Sequence, residues 1–247
     1  MTPIELRIAT WNIRKGKGTD RRRDPARVLS VLAGMKADVV LLQEADFRLP
    51  PRPPALAREA LRRQTGLVAV DFGTGRGDGR GSLGWHGNAI LLREGIETIA
   101  ARGHDLPGLE PRGLIEAELC IRGRTLRVIG VHLGLLRASR RMQLSALNRI
   151  LAERPPLPTL IAGDFNERSL SEGLGRIARR FRILSGGPTY HSRWPMFPLD
   201  RVAVTAEFDA LGIAPLRTDA TGQASDHLPL VADLRLLAPD QSIVGST

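Results

Sequence analysis

The sequence predicts an α/β (α+β) fold of two packed β-sheets with helices outside. Many short strand-like runs stand against few helical ones, and they do not alternate one-for-one with helices as a doubly wound sheet requires. Hydrophobic residues make up 42% of the 247, enough for a sizeable core. No linker, repeat or shift of composition divides the chain, so residues 1–247 read as a single domain, with 238–247 as a frayed tail.

Taken in order, Ile4 to Thr10 alternates apolar and polar residues as a strand does, and leads into Trp11-Asn12-Ile13-Arg14. A basic loop from 14 to 23 follows. Asp24 then caps a helix with Pro25 at its first position and Val28, Leu32 and Met35 on the buried stripe. Asp38 to Leu42 is an apolar strand ending at Gln43-Glu44, and a proline-rich stretch opens a helix near 55–64. After a strand at Leu67 to Phe72, the glycine-rich run Gly73 to Gly84 reads as a mobile surface loop. No Lys-Ser/Thr helix start follows it, so it is no phosphate cradle.

His86-Gly87-Asn88 opens the strand Ala89 to Leu92, and Ile96 to Arg102 is expected to pair beside it. Arg112-Gly113 begins Leu114 to Ile121, which Gly123 turns into Thr125 to Val131, a hairpin ending at His132. A helix over 137–153 puts Leu144, Leu147 and Leu151 on one face and Arg137, Arg140, Arg141 and Arg149 largely outside it. Pro155, Pro156 and Pro158 stop it before the strand Thr159 to Ala162. A short helix near 170–180 leads to an irregular segment, Gly186 to Pro198. Strands then follow at 199–204, 207–213 and 228–236, the last preceded by Ser225-Asp226-His227.

The formal net charge of +10 favours anionic partners, although 33 of the 36 basic residues are arginine, a skew that codon usage produces equally well. No apolar run is long enough for a membrane span, and the N-terminus lacks the pattern of a signal peptide. The single cysteine, Cys120, lies in an apolar strand and is expected to pack in the core. A cytoplasmic monomer is the expectation.

Leu160-Ile161-Ala162-Gly163-Asp164-Phe165-Asn166-Glu167 organises the chain. Strand alternation would send Asp164 and Asn166 one way and Phe165 into the core, although a simple turn explains the same residue types. Polar residues also end other strands: Asn12, Glu44, His132, Asp200, Asp226 and His227. If those ends meet on one rim, carboxylates and amides suit a hard, oxygen-loving ion such as Mg²⁺, completed by water and substrate phosphate. No Gly-x-Ser-x-Gly elbow is present to suggest acyl transfer.

Thr10-Trp11-Asn12-Ile13-Arg14, Leu42-Gln43-Glu44, Val131-His132-Leu133, Gly163-Asp164-Phe165-Asn166, Leu199-Asp200-Arg201 and Ser225-Asp226-His227 occur in an order that resembles the endonuclease/exonuclease/phosphatase (DNase I-like) superfamily. The nearer likeness is to small bacterial members encoded beside cardiolipin synthase, through His86-Gly87-Asn88-Ala89, Arg112-Gly113 and His132-Leu133-Gly134-Leu135. The resemblance implies a four-layered α/β sandwich, its two mostly antiparallel sheets flanked by helices. It also implies a metal-dependent phosphoesterase using Mg²⁺, for which Mn²⁺ can substitute.

By the same resemblance Glu44 is the main metal ligand with Asn12 beside it, and Asp226 supports the metal's water shell or the base. Asp164 activates water and Asn166 holds a phosphate oxygen. His227, protonated by its pairing with Asp200, and His132 donate to the phosphoryl group. His86, Asn88 and Arg112 are further candidates for phosphate contact. The substrate can be DNA or RNA, a phospholipid head group or a small ester, and an inactive phosphate-binding module is the alternative to an enzyme. Only ten aromatic residues argue against groove insertion, although Trp85 and Trp194 lie in loops and could stack a base.

Overall fold

A computed structural model describes residues 2–47, 52–73, 81–169 and 172–238. The first strand, β1 (Ile4–Asn12), gives way through a 3-10 turn at Arg14–Gly16 to helix α1 (Pro25–Met35), then β2 (Val39–Gln43), α2 (Arg58–Thr65), β3 (Leu67–Ala69) and β4 (Ala89–Arg93). The middle of the chain supplies β5 (Glu97–Leu106), β6 (Arg112–Ile121), β7 (Arg124–His132), α3 (Arg137–Ala152), β8 (Thr159–Asp164), α4 (Gly175–Ala178), β9 (Arg182–Leu184) and β10 (Asp200–Val204). It closes with β11 (Phe208–Pro215), α5 (Asp219–Ala224) and β12 (Leu230–Leu236). The Asp24 carboxylate caps α1 by accepting from Arg27 N at 3.1 Å.

Two six-stranded sheets form, in the orders β11-β12-β1-β2-β4-β3 and β5-β6-β7-β8-β10-β9. Their facing sides bury Ile8, Leu41 and Ile90 against Ile115, Val128 and Val202. The outer side of the first sheet packs on α1 and α2 through Leu32 and Leu61, and that of the second on α3 and α4 through Leu147 and Ile177. Helix, sheet, sheet, helix is the four-layered sandwich, and most strand pairs are antiparallel. Each sheet also holds one parallel pair, β1–β2 and β7–β8, bridged by a crossover helix.

That arrangement fixes where the chemistry lies. In the parallel pairs the last residues in register are Asn12 with Gln43 and His132 with Asp164, so both pairs end together. Antiparallel β10 starts opposite Asp164 with Asp200, and β12 starts at Leu230 opposite Thr10, three residues after His227. The topology therefore carries every polar strand end to one rim.

Three expectations need correcting. The strand after residue 95 does not pair with β4: β5 crosses to the second sheet and pairs only with β6, while β4 lies between β2 and β3. Arg140 does not sit outside α3 with its neighbours but is buried, its guanidinium on Glu167 at 2.9 Å and on the Leu135 carbonyl at 2.6 Å. A paired, fully hydrogen-bonded guanidinium can be buried where a lone one cannot. Cys120 is half-buried rather than in the core. The mobility expected for 73–84 and the frayed tail fall mainly on residues 74–80 and 239–247, outside those described.

Gly163 is the tightest point between β7 and β8. At φ +156° a Cβ there would lie 1.9 Å from the Val131 carbonyl oxygen. Gly163→Ala should therefore force His132 and Asp164 apart and cost about 2–4 kcal/mol, read as a lower urea midpoint. A midpoint equal to wild type would show that the strands give way freely.

Candidate active site

Asp164 ends β8 almost closed off from water, 1% exposed. Its Oδ1 accepts the Asn166 amide N–H at 2.9 Å, so the turn expected from Asp and Asn spacing is real and serves to orient the carboxylate. Phe165 between them is fully buried. Three groups converge on Oδ2: the Asn12 Nδ2 donor at 3.2 Å, His132 Nε2 at 3.5 Å and His227 Nε2 at 3.7 Å. Asn12 also lies near enough to Glu44 to help keep that carboxyl ionised, so this one amide stands between the two carboxylates. The Asn12 Oδ1 accepts Arg14 N at 3.1 Å.

His227 is held from behind. Its Nδ1 meets Asp200 Oδ2 at 2.9 Å, and that oxygen also accepts the Thr189 hydroxyl at 2.5 Å. Burial would push His227 down, but the Asp200 and Asp164 carboxylates outweigh it and raise the imidazole to about 10. Asp164 moves the other way from an ordinary carboxyl. Burial raises it to about 6, against the pull of the neighbouring imidazolium and with the Asp200 charge adding to the rise. His132 is tuned by geometry: Arg112 donates to its Nδ1 at 3.1 Å, so the ring proton sits on Nε2, the atom facing Asp164. Arg112 is in turn held by Glu110 at 2.7 Å.

Glu44, half-buried just past β2, opens onto a small cleft of about 50 Å³ shared with Lys15, His86, Arg112 and His132. Burial opposes its ionisation, yet the Lys15 ammonium on its Oε2 and the nearby Arg112 hold it below the usual carboxylate range. The donors here are a carboxylate and a carboxamide, hard oxygen ligands of the kind a mostly hydrated divalent ion takes, and Lys15 already places a positive charge on Glu44. No group of three or more His, Cys, Asp or Glu suited to a metal occurs among the described residues. The set fits an ion completed by water and substrate, and does not fit a closed structural site.

Asn12, Glu44, His132, Asp164, Asp200 and His227 thus form one connected group. Others stand aside from it. Asp226 pairs with Arg14 at 3.2 Å. His86 Nε2 meets Asp105 at 2.9 Å, and Asn88 is buried with its Nδ2 on the Gly113 carbonyl at 2.9 Å. One Asn166 Nδ2 hydrogen is spent on the Leu133 carbonyl at 2.9 Å. Sequence reasoning missed Thr189, Glu110 and the Tyr190 ring that packs 5.0 Å from His227. Lys15 comes from the 14–23 basic loop, whose place next to Asn12 in sequence suggests that it flanks the site, although a merely solvated loop fits that place equally. Thr189 and Tyr190 lie in an irregular stretch that carries no periodic signal.

The family model described as the Endonuclease/Exonuclease/phosphatase family matches residues 9–227. The chain belongs to this family. Its members hydrolyse phosphate ester bonds, generally with divalent metal ions, and this family member is a hydrolase of that class. The uncharacterized protein YbhP of Escherichia coli K12 is 31% identical over 251 residues, covering 94% of this chain and 97% of YbhP. D. rerio TDP2, solved with a single-stranded DNA product, shares the fold at a TM-score of 0.69 and 20% identity, over 93% of this chain and 98% of that one. The mannosyl-6-phosphatase Bt3783 of Bacteroides thetaiotaomicron does so at 0.70 and 16%, over 93% and 99%. No helix among the described residues of this family member is long and apolar enough to cross a membrane.

Proposed function

We propose that this chain is a Mg²⁺-dependent phosphoesterase that cleaves its substrate by in-line attack of water, with Mn²⁺ able to substitute. The observation that supports this most is the buried Asp164 carboxylate set 3.7 Å from an imidazole that a second carboxylate keeps charged. Asp164 takes the proton of the attacking water as the new O–P bond forms and the ester P–O bond breaks. His227 donates from Nε2 to a phosphoryl oxygen as negative charge builds there, and neutral His132 donates through Nε2 to the leaving oxygen. The remaining Asn166 amide hydrogen and Arg112 orient the phosphate. Asp226 adds to the negative field around His227, with Arg14 holding it in place. Glu44 and Asn12 would hold the ion, which when bound supplies Lewis acidity for the departing oxyanion.

A generic aryl phosphodiester tests the reading. Hydrolysis should vanish with a chelator and return with Mg²⁺ or Mn²⁺, while hydrolysis indifferent to chelator would overturn the metal requirement. Binding without hydrolysis would leave the alternative of an inactive phosphate-binding module. A nuclease reading draws support from Trp194, a residue 82% exposed and open to a base. Trp85 gives it less, being half-buried with its Nε1 on Asp105 at 3.1 Å.

A further inference from the structure

The outer face of α3 and its surroundings combines two features that seldom share an exposed surface. Arg137, Arg141 and Arg149 project from α3 and span about 18 Å at 1.5 Å rise per residue. Arg176 and Arg179 face them across two adjoining depressions of about 530 and 680 Å³. Arg141, Arg149 and Arg179 make no ion pair among the described residues. Glu172 pairs with Arg137 at 3.4 Å, Glu167 with Arg140 and Glu110 with Arg112, while the exposed Glu153, one turn beyond Arg149, makes no ion pair with these arginines. At least three of the five arginines on this face are therefore without an ion pair among the described residues.

The same face bears large aliphatic side chains. Leu109 is 84% exposed, Leu135 and Leu136 are more than half exposed, and Met142 nearly so. They are neighbours: Leu135 N donates to Glu110 Oε1 at 2.9 Å, which ties the 135–136 turn to the loop carrying Leu109. Met142 and Pro107 line a depression with Arg141. The patch begins at the cleft, since Leu109 lies three residues before Arg112 and Leu135 three after His132.

We propose that this face docks on an anionic lipid surface, the arginines meeting phosphate head groups and the leucines entering the interface. Charge alone would fit a nucleic acid equally. Yet none of the apolar groups exposed on this face is aromatic, so they offer no platform for bases, whereas aliphatic tips beside arginines suit a bilayer boundary. Lipid binding is read without turnover and stands or falls apart from the hydrolysis proposed above.

The test is sedimentation of the full chain with vesicles of equal parts phosphatidylglycerol and phosphatidylcholine, against phosphatidylcholine alone. The protein should pellet with the first and not the second, and release as salt rises. R141Q/R149Q, removing two charges, should weaken partitioning roughly 30-fold. L109S/L135S should weaken it about tenfold or more, with both variants melting as wild type. No binding at low salt, or equal binding to both vesicles, overturns the proposal. So does unchanged vesicle binding by L109S/L135S together with loss of single-stranded oligonucleotide binding by R141Q/R149Q, which would make this a nucleic-acid surface.

Discussion

Asp164→Ala and His227→Ala should each lower turnover at least about a hundredfold, in keeping with the ~2.7–4 kcal/mol that one preorganised group of this kind typically supplies. Both side chains touch the same small volume, with Asp164 Oδ2 and His227 Nε2 3.7 Å apart. In the proposed mechanism, removing Asp164 leaves the water without a proton acceptor, and removing His227 leaves the phosphoryl charge without its cation. Because the two act as a unit, the double variant should lose little beyond the worse single one. Neither change should unfold the protein: the outer packing of both sheets lies elsewhere. Turnover near wild type in a purified, folded variant would remove that residue from the reaction.

Asp200→Asn should move the alkaline limit of activity down from near pH 10 by about 1–3 units, the span an adjacent opposite charge commands. Asp200 is the foremost of the charges holding His227 up at about 10. Without it, burial has less to overcome and the imidazole loses its proton nearer neutrality. Stability should follow the same group. A histidine raised from about 6.5 unfolded to about 10 folded contributes stability that is complete below about 6.5 and is lost as pH rises through about 10. A pH–rate profile of the variant beside wild type reads the first effect, and urea midpoints across alkaline pH read the second. A limb that stays near 10 would show that Asp200 does not set the charge on His227.

Much of this was legible in the chain itself. Strand ends announce themselves because an apolar run stops at a polar residue, which is how Asn12, Glu44, His132, Asp164 and Asp200 came into view. Pairing partners are harder. Alternation says that β5 is a strand but not which sheet receives it, since crossing between sheets depends on tertiary packing. Arg140 was misread because helical spacing describes faces, whereas its burial rests on Glu167, a partner 27 residues away. Thr189 and Tyr190 reach the site from an irregular loop, where no periodicity marks a residue as inward.

β12 pairs with both β11 and β1, so the final described strand is inserted between a neighbour in sequence and the very first strand. His227 arrives with it, and the Trp11 indole donates to the His227 carbonyl at 2.9 Å to seat it. A growing polypeptide can therefore complete its second sheet, with His132, Asp164 and Asp200 in place, and still lack His227. The imidazole reaches Asp164 only when the closing segment has threaded home against the opening one.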